Sequence, residues 1–513
     1  MQNCYLNKTM KVETFGLEEK KNDKTLYAYQ QVDIDKIFNV IDNHPSKYNL
    51  LYQLPTGGGK TVIFSQIVRE YIQRFNKKVL ILTHRIELCR QTSNMLSEFG
   101  VLNKIINSKV KDLPDQEDYM CFVAMVETLN NRLHDEKLEI ENIGLVIIDE
   151  AHYNSFRKLF KFFEKSFILG VTATPLSSNI KLPMKDNYRE LIVGDSISSL
   201  IQKGFLANVN VYSYDVGLQS LKVGINGDYT VKSSEELYSN LSMQEKLLGA
   251  YMEKSMNKKT LIFNNGINTS KEVYETFKNA GIPIRHLDNT TSKQDRKQIL
   301  KWFKHTPDAI VTSVSILTTG FDEPSVETII LNRATKSLTL YFQMIGRGSR
   351  ILPGKSEFTV IDLGNNMARF GHWNAPVDWK QLFRSPDFYF ESLLSDEEIE
   401  REFKYVMPPD LREQFSKTED VSFDVEKAYD LVIKKGLKSK TVLEWSMEQH
   451  VNMCVVNSED VFDARILAKE LKDDISSRIK QFSYCISKST KNYREWLEED
   501  YCRKLRLQIN KEF

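Results

Sequence analysis

Two short stretches of this chain carry the residue types that phosphate chemistry needs. The first is LPTGGGKT at Leu54–Thr61. Its glycines Gly57, Gly58 and Gly59, which follow Thr56, let backbone N–H groups close around an anionic phosphate at the start of a helix. Lys60 then reaches the β- and γ-phosphates of a nucleotide, and the Thr61 hydroxyl can ligate Mg²⁺. The general phosphate-loop pattern has glycine at its first position, where this chain has Leu54. The second stretch is IIDEAH at Ile147–His152, in which an apolar run ends in Asp149 and Glu150. A carboxylate at the end of a buried strand suits Mg²⁺, and its neighbour can orient and deprotonate an attacking water. Taken singly, the first is a glycine turn and the second a solvated acidic turn. Together they form a nucleotide site.

The elements that must position them are legible around them. Tyr48–Leu54 reads as a short apolar strand and Val62–Phe75 as a helix with apolar residues at helical spacing. From about Leu26 to Ser178, apolar runs at Leu50–Leu54, Val79–Leu82, Met120–Val123, Leu145–Ile148 and Phe167–Val171 alternate with helical stretches. The rhythm returns at Thr260–Phe263, Ala309–Ser313, Thr328–Leu331 and Phe358–Leu363. Such alternation predicts an α/β chain with two parallel sheets in tandem, each covered on both faces. Between them, Leu206–Asn257 reads as a connector with a hairpin at Gly227-Asp228-Tyr229, and beyond about Trp373 the spacing is helical. The expected divisions are an N-terminal extension (1–24), a first lobe (25–205), the connector (206–257), a second lobe (258–375) and a helical accessory region (376–513).

Composition bounds the rest. A chain of 513 residues exceeds one comfortable core. Lys+Arg 70 against Asp+Glu 69 leaves a net charge of +1, so any surface for nucleic acid must be local. The cysteines Cys4, Cys89, Cys121, Cys454, Cys485 and Cys502 form no CxxC pair, which argues against a zinc site and a disulfide scaffold. They fit a reducing compartment. No apolar run is long enough to span a bilayer, and the first residues lack a signal-peptide core. The expectation is a soluble cytoplasmic protein without membrane contact.

Further motifs follow in a fixed order, and with them the chain resembles a superfamily-2 helicase of the DEAH-bearing kind over roughly Tyr27–Gly371. The resemblance implies two RecA-like lobes in tandem, ATP and Mg²⁺ as cofactors, and nucleic acid as partner. Gln30 stands where the family reads adenine, although the arginine often found nearby is replaced in LYAYQ. LILTHRIEL at Leu80–Leu88 resembles motif Ia, with Arg85 toward the nucleic-acid backbone, and VETL at Val126–Leu129 resembles motif Ib, with Thr128 as a phosphate contact. VTATP at Val171–Pro175 resembles motif III, whose Thr172 and Thr174 couple hydrolysis to movement together with His152. TSVSILTTGFDEP at Thr312–Pro324 resembles motif V, with Thr312 toward phosphate and Gly320 and Asp322 toward the nucleotide. QMIGRGSR at Gln343–Arg350 resembles motif VI.

Charge that develops on the transferring γ-phosphoryl group calls for cations from the second lobe. Arg347 and Arg350, three apart, are expected on one helix face pointing into the cleft, where planar guanidinium suits phosphate oxygens. Hydrolysis would then be gated by lobe closure. Basic stretches with aromatics at Arg285-His286, Trp302-Phe303-Lys304, Lys434–Lys440 and Ser489–Trp496 read as solvated faces rather than a dedicated groove. The wording of motifs III and V resembles DNA repair and restriction motors more than RNA-specific enzymes. The alternatives are an RNA helicase or remodeller, the motor part of a nuclease (Asp460 with Glu470-Leu471-Lys472, in a stretch that reads as helix), and a nucleotide-dependent switch. The C-terminal helices are a place for a protein partner.

Overall fold

The computed structural model describes residues 25–107, 110, 116–134, 140–179, 181–314, 316–318, 320–402, 405–486 and 491–513. The expected N-terminal extension, 1–24, lies outside the described residues. The chain forms two compact units, one ending at Leu394 and one spanning Ser395–Phe513.

The first unit holds two parallel sheets. The first sheet contains β1 (Tyr48–Gln53), β2 (Lys78–Thr83), β3 (Asn103–Ile106), β4 (Cys121–Met125), β5 (Ile143–Asp149), β6 (Phe167–Thr172) and β7 (Glu190–Val193) in the order β3-β4-β2-β5-β6-β1-β7. The second contains β8 (Asn208–Ser213), β9 (Thr260–Asn264), β10 (Ile284–Leu287), β11 (Ile310–Val314), β12 (Thr328–Asn332) and β13 (Glu357–Asp362) in the order β10-β11-β9-β12-β13-β8. Every pairing is parallel. Helices cover both faces, so the inner strands β2, β6, β9 and β12 are buried along their whole length, which is why they read as unbroken apolar runs. In each parallel sheet the loops after the strands leave from one edge, the usual place for ligands.

The expected connector differs. VNVYS is β8, an edge strand that pairs with β13 from Asn208↔Glu357 to Ser213↔Asp362, so this stretch belongs to the second sheet. The hairpin at Gly227-Asp228-Tyr229 shrinks to a single antiparallel bridge, Val223↔Tyr229. Its purpose is visible in Asp228, whose carboxylate accepts from the Thr335 hydroxyl and the Lys336 N–H, both at 2.7 Å. The accessory region also starts later than 376. Trp379, Leu382 and Phe383 are buried in the first unit's core, with Trp379 edge-on to Phe342 at 5.5 Å between ring centres.

The second unit is helical. Phe415, Val432, Val442, Cys454, Leu471, Ile479 and Phe482 form its core. A polar knot is sealed inside: Arg478 makes two bonds to Asp474, at 3.0 and 2.7 Å, and Asp474 meets His450 Nε2 at 3.0 Å. Tyr501 Oη faces His450 Nδ1 at 2.9 Å. No helix among the described residues is long and apolar enough to cross a membrane.

Candidate active site between the two sheets

The phosphate loop joins β1 to α2 (Lys60–Phe75). Gly57 and Gly59 have φ of +92° and +85°, a region glycine enters without a Cβ penalty. Both also face close neighbours. A Cβ on Gly59 would lie 2.6 Å from Gln30 Nε2, and one on Gly57 would lie 3.0 Å from Arg350 Nη1. Lys60 Nζ donates back to the carbonyls of Leu54 and Pro55 at 3.2 and 3.4 Å, so the loop wraps its own cation. Burial lowers the Lys60 pKa, against the raising pull of Glu150 and Asp149.

Gln30 lies in α1 (Ala28–Asn43), where its side-chain oxygen accepts from the Tyr27 N–H at 3.0 Å. Tyr29 Oη donates to the Gly58 carbonyl at 2.8 Å. Phe205 packs against Tyr27 and Tyr29, with ring centres 4.3 and 5.1 Å apart. This aromatic wall beside the phosphate loop was missed from sequence; the only signal was the pair of tyrosines in LYAYQ.

Asp149 closes β5, and Glu150 follows with φ +52°, its N–H donating to Asp149 Oδ1 at 3.0 Å. Burial, then the neighbouring Glu150 carboxylate, pushes the Asp149 pKa up to about 7. For Glu150 burial acts upward too, but Lys60, His152, Arg347 and His84 outweigh it and the net shift is down. The pair is thus split into two environments, the arrangement that separates roles between neighbouring carboxylates.

His152 is buried, and burial lowers its pKa. The hydrogen-bond network assigns its tautomer. The Thr172 hydroxyl spends its one proton on the Thr174 carbonyl at 2.9 Å, so at 3.1 Å from His152 Nδ1 it accepts. Nδ1 therefore carries the proton, with Glu150 Oε2 also within 3.3 Å. Nε2 is left to accept from Gln343 Nε2, 3.5 Å away on the helix Leu338–Ile345 of the second sheet. A second bridge joins the sheets where the Thr174 hydroxyl donates to that of Thr339 at 2.9 Å.

Arg347 and Arg350 do not share a helix face. The helix ends at Ile345, and both arginines lie in the turn that follows. Past it the N–H groups of Arg347 and Gly348 bond to the Met344 and Ile345 carbonyls at 3.2 and 3.0 Å, a tighter turn. Its glycines admit close neighbours: a Cβ on Gly346 would lie 2.7 Å from Thr56 Cβ, and one on Gly348 would lie 2.4 Å from Phe358. Arg347 donates to the carbonyls of Thr318 (3.1 Å from Nε) and Phe321 (2.7 Å from Nη1). Burial, then the nearby Arg350, lowers its pKa to about 10. Arg350 Nε pairs with Asp322 at 2.9 Å, which occupies the carboxylate expected at the nucleotide; Gly320, in the same loop, has φ +74°.

The residues expected at nucleic acid separate. Arg85 Nη1 donates to the Ile316 carbonyl at 3.2 Å, joining the first sheet to the motif V loop, and Gln91 Nε2 does the same to Gly320 at 2.9 Å. Thr128 is partly exposed on α4 (Val126–His134), after α3 (Ile86–Glu98). Thr312 is fully buried in β11, its hydroxyl bonded to Asn264 Nδ2 and the Ser270 hydroxyl at 2.9 Å each. It braces strands and is withdrawn as a phosphate contact. His84 was not singled out from sequence; its ring packs tilted against Tyr153, with centres 4.2 Å apart, and burial drops its pKa to about 4. Asp460 caps the helix Val461–Glu470 through the N–H groups of Phe462 and Asp463, and Lys472 begins the next helix, so the nuclease pattern is helical as expected. Among the described residues no group of three or more His, Cys, Asp or Glu could hold a metal.

Residues 23–177 match the family described as type III restriction enzyme, res subunit, and residues 241–352 match the helicase conserved C-terminal domain. IRC3 of Saccharomyces cerevisiae, whose name assigns it provisionally to the ATP-dependent helicases, is 30% identical over 66% of this chain and 51% of its own. The type I restriction enzyme EcoAI endonuclease subunit of Escherichia coli is 24% identical over 70% of this chain and 48% of its own. The chain therefore spans about half the length of these relatives. A fragment of a type I restriction enzyme subunit provisionally identified as HsdR, from Vibrio vulnificus YJ016, superimposes with a TM-score of 0.51 and 22% identity over 71% of this chain and 66% of its own, a likeness of fold.

Proposed function

We propose that the chain is a superfamily-2 motor, an ATP-driven helicase or translocase that moves on DNA. The observation that carries this reading is the meeting of Arg350, from the second sheet, with Gly57 of the phosphate loop on the first. A site assembled from both lobes cleaves only when they close, which ties hydrolysis to motion.

The loop fits a nucleotide triphosphate: two glycines at positive φ, a lysine curled on the loop carbonyls, and a glutamine against Gly59. A buried carboxylate pair in which Glu150 Oε2 makes no hydrogen bond and faces the His152 ring at 3.3 Å fits a divalent cation. Thr61 and Asp149 would hold Mg²⁺, which neutralises charge on the β- and γ-oxygens when bound. Lys60 leaves its carbonyls for the phosphates, and Gln30 and the Tyr27–Phe205 wall receive the base. Glu150 orients a water and takes its proton, while His152, Thr172 and Gln343 hold that carboxylate in register with the second lobe. Arg347 and Arg350 meet the charge that grows on the γ-phosphoryl oxygens.

DNA is favoured because the matched family and the Escherichia coli relative carry restriction-enzyme names. Contacts through Arg85 and the surface of α4 would grip phosphates and make binding salt-sensitive. The Ser395–Phe513 unit is the place for a protein partner, and the buried free thiols Cys89, Cys121 and Cys454 suit the reducing cytoplasm. The test is ATP hydrolysis measured side by side with single-stranded DNA, forked duplex and RNA. DNA is expected to stimulate at least several-fold more than RNA; equal stimulation by RNA would turn the reading to an RNA motor, and none by either would reduce it to a nucleotide switch.

A further inference from the structure

Past the arginine turn the chain reverses tightly at Leu352–Lys355, where Leu352 and Lys355 exchange backbone hydrogen bonds at 3.2 and 2.9 Å around Gly354 at φ +86°. The reversal swings the Lys355 side chain back under the turn. There Nζ donates to three carbonyls, Gly348 and Arg350 at 2.7 Å each and Pro324 at 2.9 Å. Two of these belong to the turn that bears Arg347 and Arg350. The third lies two residues beyond Asp322, the carboxylate that pairs with Arg350. An ammonium has three protons, and all three are used.

We propose that Lys355 is a positioning residue for catalysis, which clamps the arginine turn to the Asp322 loop so that the Arg350 guanidinium is held against the phosphate loop. The proposal rests on the reading of Arg347 and Arg350 as groups that act on the γ-phosphoryl charge. The turn needs such a clamp because it lies outside the helix. Within it the Ser349 hydroxyl reaches only the Gly346 carbonyl, and the Ser349 carbonyl is taken by the Ala207 N–H. The carbonyls of Gly348 and Arg350 meet one shared cation.

The charged groups around Lys355 are Glu327 and Glu323, which favour the ammonium, and Arg350, which opposes it; burial outweighs them and brings its pKa down to about 8. A neutral amine has two protons for three carbonyls, so kcat should fall as pH rises through about 8.

The experiment compares Lys355→Met and Lys355→Arg with the parent chain in DNA-saturated ATP hydrolysis between pH 6.5 and 9.5. Nucleotide affinity and Tm are measured alongside. A misplaced catalytic group can cost about 10²-fold, so Lys355→Met should lose on the order of 10- to 100-fold in kcat with KM for ATP changed less than about threefold. Lys355→Arg keeps a cation that does not deprotonate in this range; it should recover most of the rate and lose the alkaline limb. An unchanged kcat in Lys355→Met, or an alkaline limb retained by Lys355→Arg, overturns the proposal, and the arginine variant decides alone if the methionine variant does not fold. Arg350→Ala runs in parallel. If it hydrolyses ATP at the parent rate, the arginine assignment is at fault; if it is slow and Lys355→Met is not, only the clamp fails.

Discussion

At the scale of single residues the site depends on close approach as much as on functional groups. Gly57 has no room for a methyl: its Cβ would meet Leu206 Cδ2 at 2.7 Å and Arg350 Nη1 at 3.0 Å, at a φ of +92°. Gly57→Ala should therefore lower both ATP affinity and kcat, whereas Gly204→Ala, at φ +72° in open space, should cost stability alone. Nucleotide titration and turnover on the two variants check this. Glu150→Gln removes the proton acceptor and leaves Asp149 in place, so ATP binding should persist while turnover falls by about 10²–10⁴, the usual worth of general base catalysis. Near-parent turnover would mean another group activates the water. The phosphate loop and the acidic pair could be singled out as candidates because their side chains and spacing are those the proposed chemistry calls for. The place of Thr312 was not legible, since a threonine in TSV looks the same whether its hydroxyl faces a phosphate or, as here, Asn264 and Ser270. The His152 tautomer was also beyond reach, because it is set by Thr172, on a strand twenty residues away in sequence.

At the scale of elements, strands buried on both faces announced themselves and edge or short strands did not. β2 and β12 have no exposed residue and carry the unbroken apolar stretches VLIL and IIL, but β3, β7 and β10 have four residues each, and β8 carries the exposed Asn208 and Tyr212. β8 could not be separated from a hairpin strand because its partner, β13, lies about 150 residues later. The arginine turn was misread as helix for a related reason: QMIGRGSR keeps helical spacing, and nothing in the string shows that its glycines serve the close approach of Thr56 and Phe358 or that the helix stops at Ile345. The hydroxyl bridge between Thr174 and Thr339 is an element-scale joint. Replacing each with valine, singly and together, should uncouple hydrolysis from DNA: basal ATPase within about twofold and stimulation reduced, with a non-additive double-mutant cycle of about 0.5 kcal/mol or more. Additive losses would show that the two hydroxyls act separately.

At the scale of the whole molecule the break lies at Leu394, not near Trp373. A chain ending at Leu394 keeps Trp379, Leu382 and Phe383 in the first unit's core; one ending at Trp373 strips them, and each buried side chain of this kind is worth about 1.5–3 kcal/mol. The longer truncation should stay folded and retain DNA-stimulated ATPase while losing strand separation or substrate choice, and the shorter should melt lower or aggregate. The Ser395–Phe513 unit has its own pH response through its buried knot. Burial, then Arg478, outweighs the help of Asp474 and holds the His450 pKa at about 4, below the 6.5 of the free side chain. As pH falls from 6.5 toward 4 the unfolded chain takes up a proton that the folded chain refuses, so stability present above 6.5 is lost through that window, up to roughly 3 kcal/mol. Hydrogen-exchange protection factors, taken relative to the intrinsic rate at each pH, should fall on the helix Thr441–Val456 over that range, and His450→Gln should flatten the response.

The central claim is that hydrolysis waits for arginines supplied by the second lobe. Its most direct measurement is the single-turnover rate of ATP cleavage in the parent chain and in Arg350→Ala, with and without saturating single-stranded DNA, beside the ATP dissociation constant of each. The parent should be accelerated by DNA. Arg350→Ala should bind ATP within about threefold of the parent yet cleave it about 10³-fold more slowly in either condition, the lower end of an arginine finger's worth. Cleavage by Arg350→Ala at the parent rate, or a slow rate explained wholly by lost ATP affinity, would contradict the account.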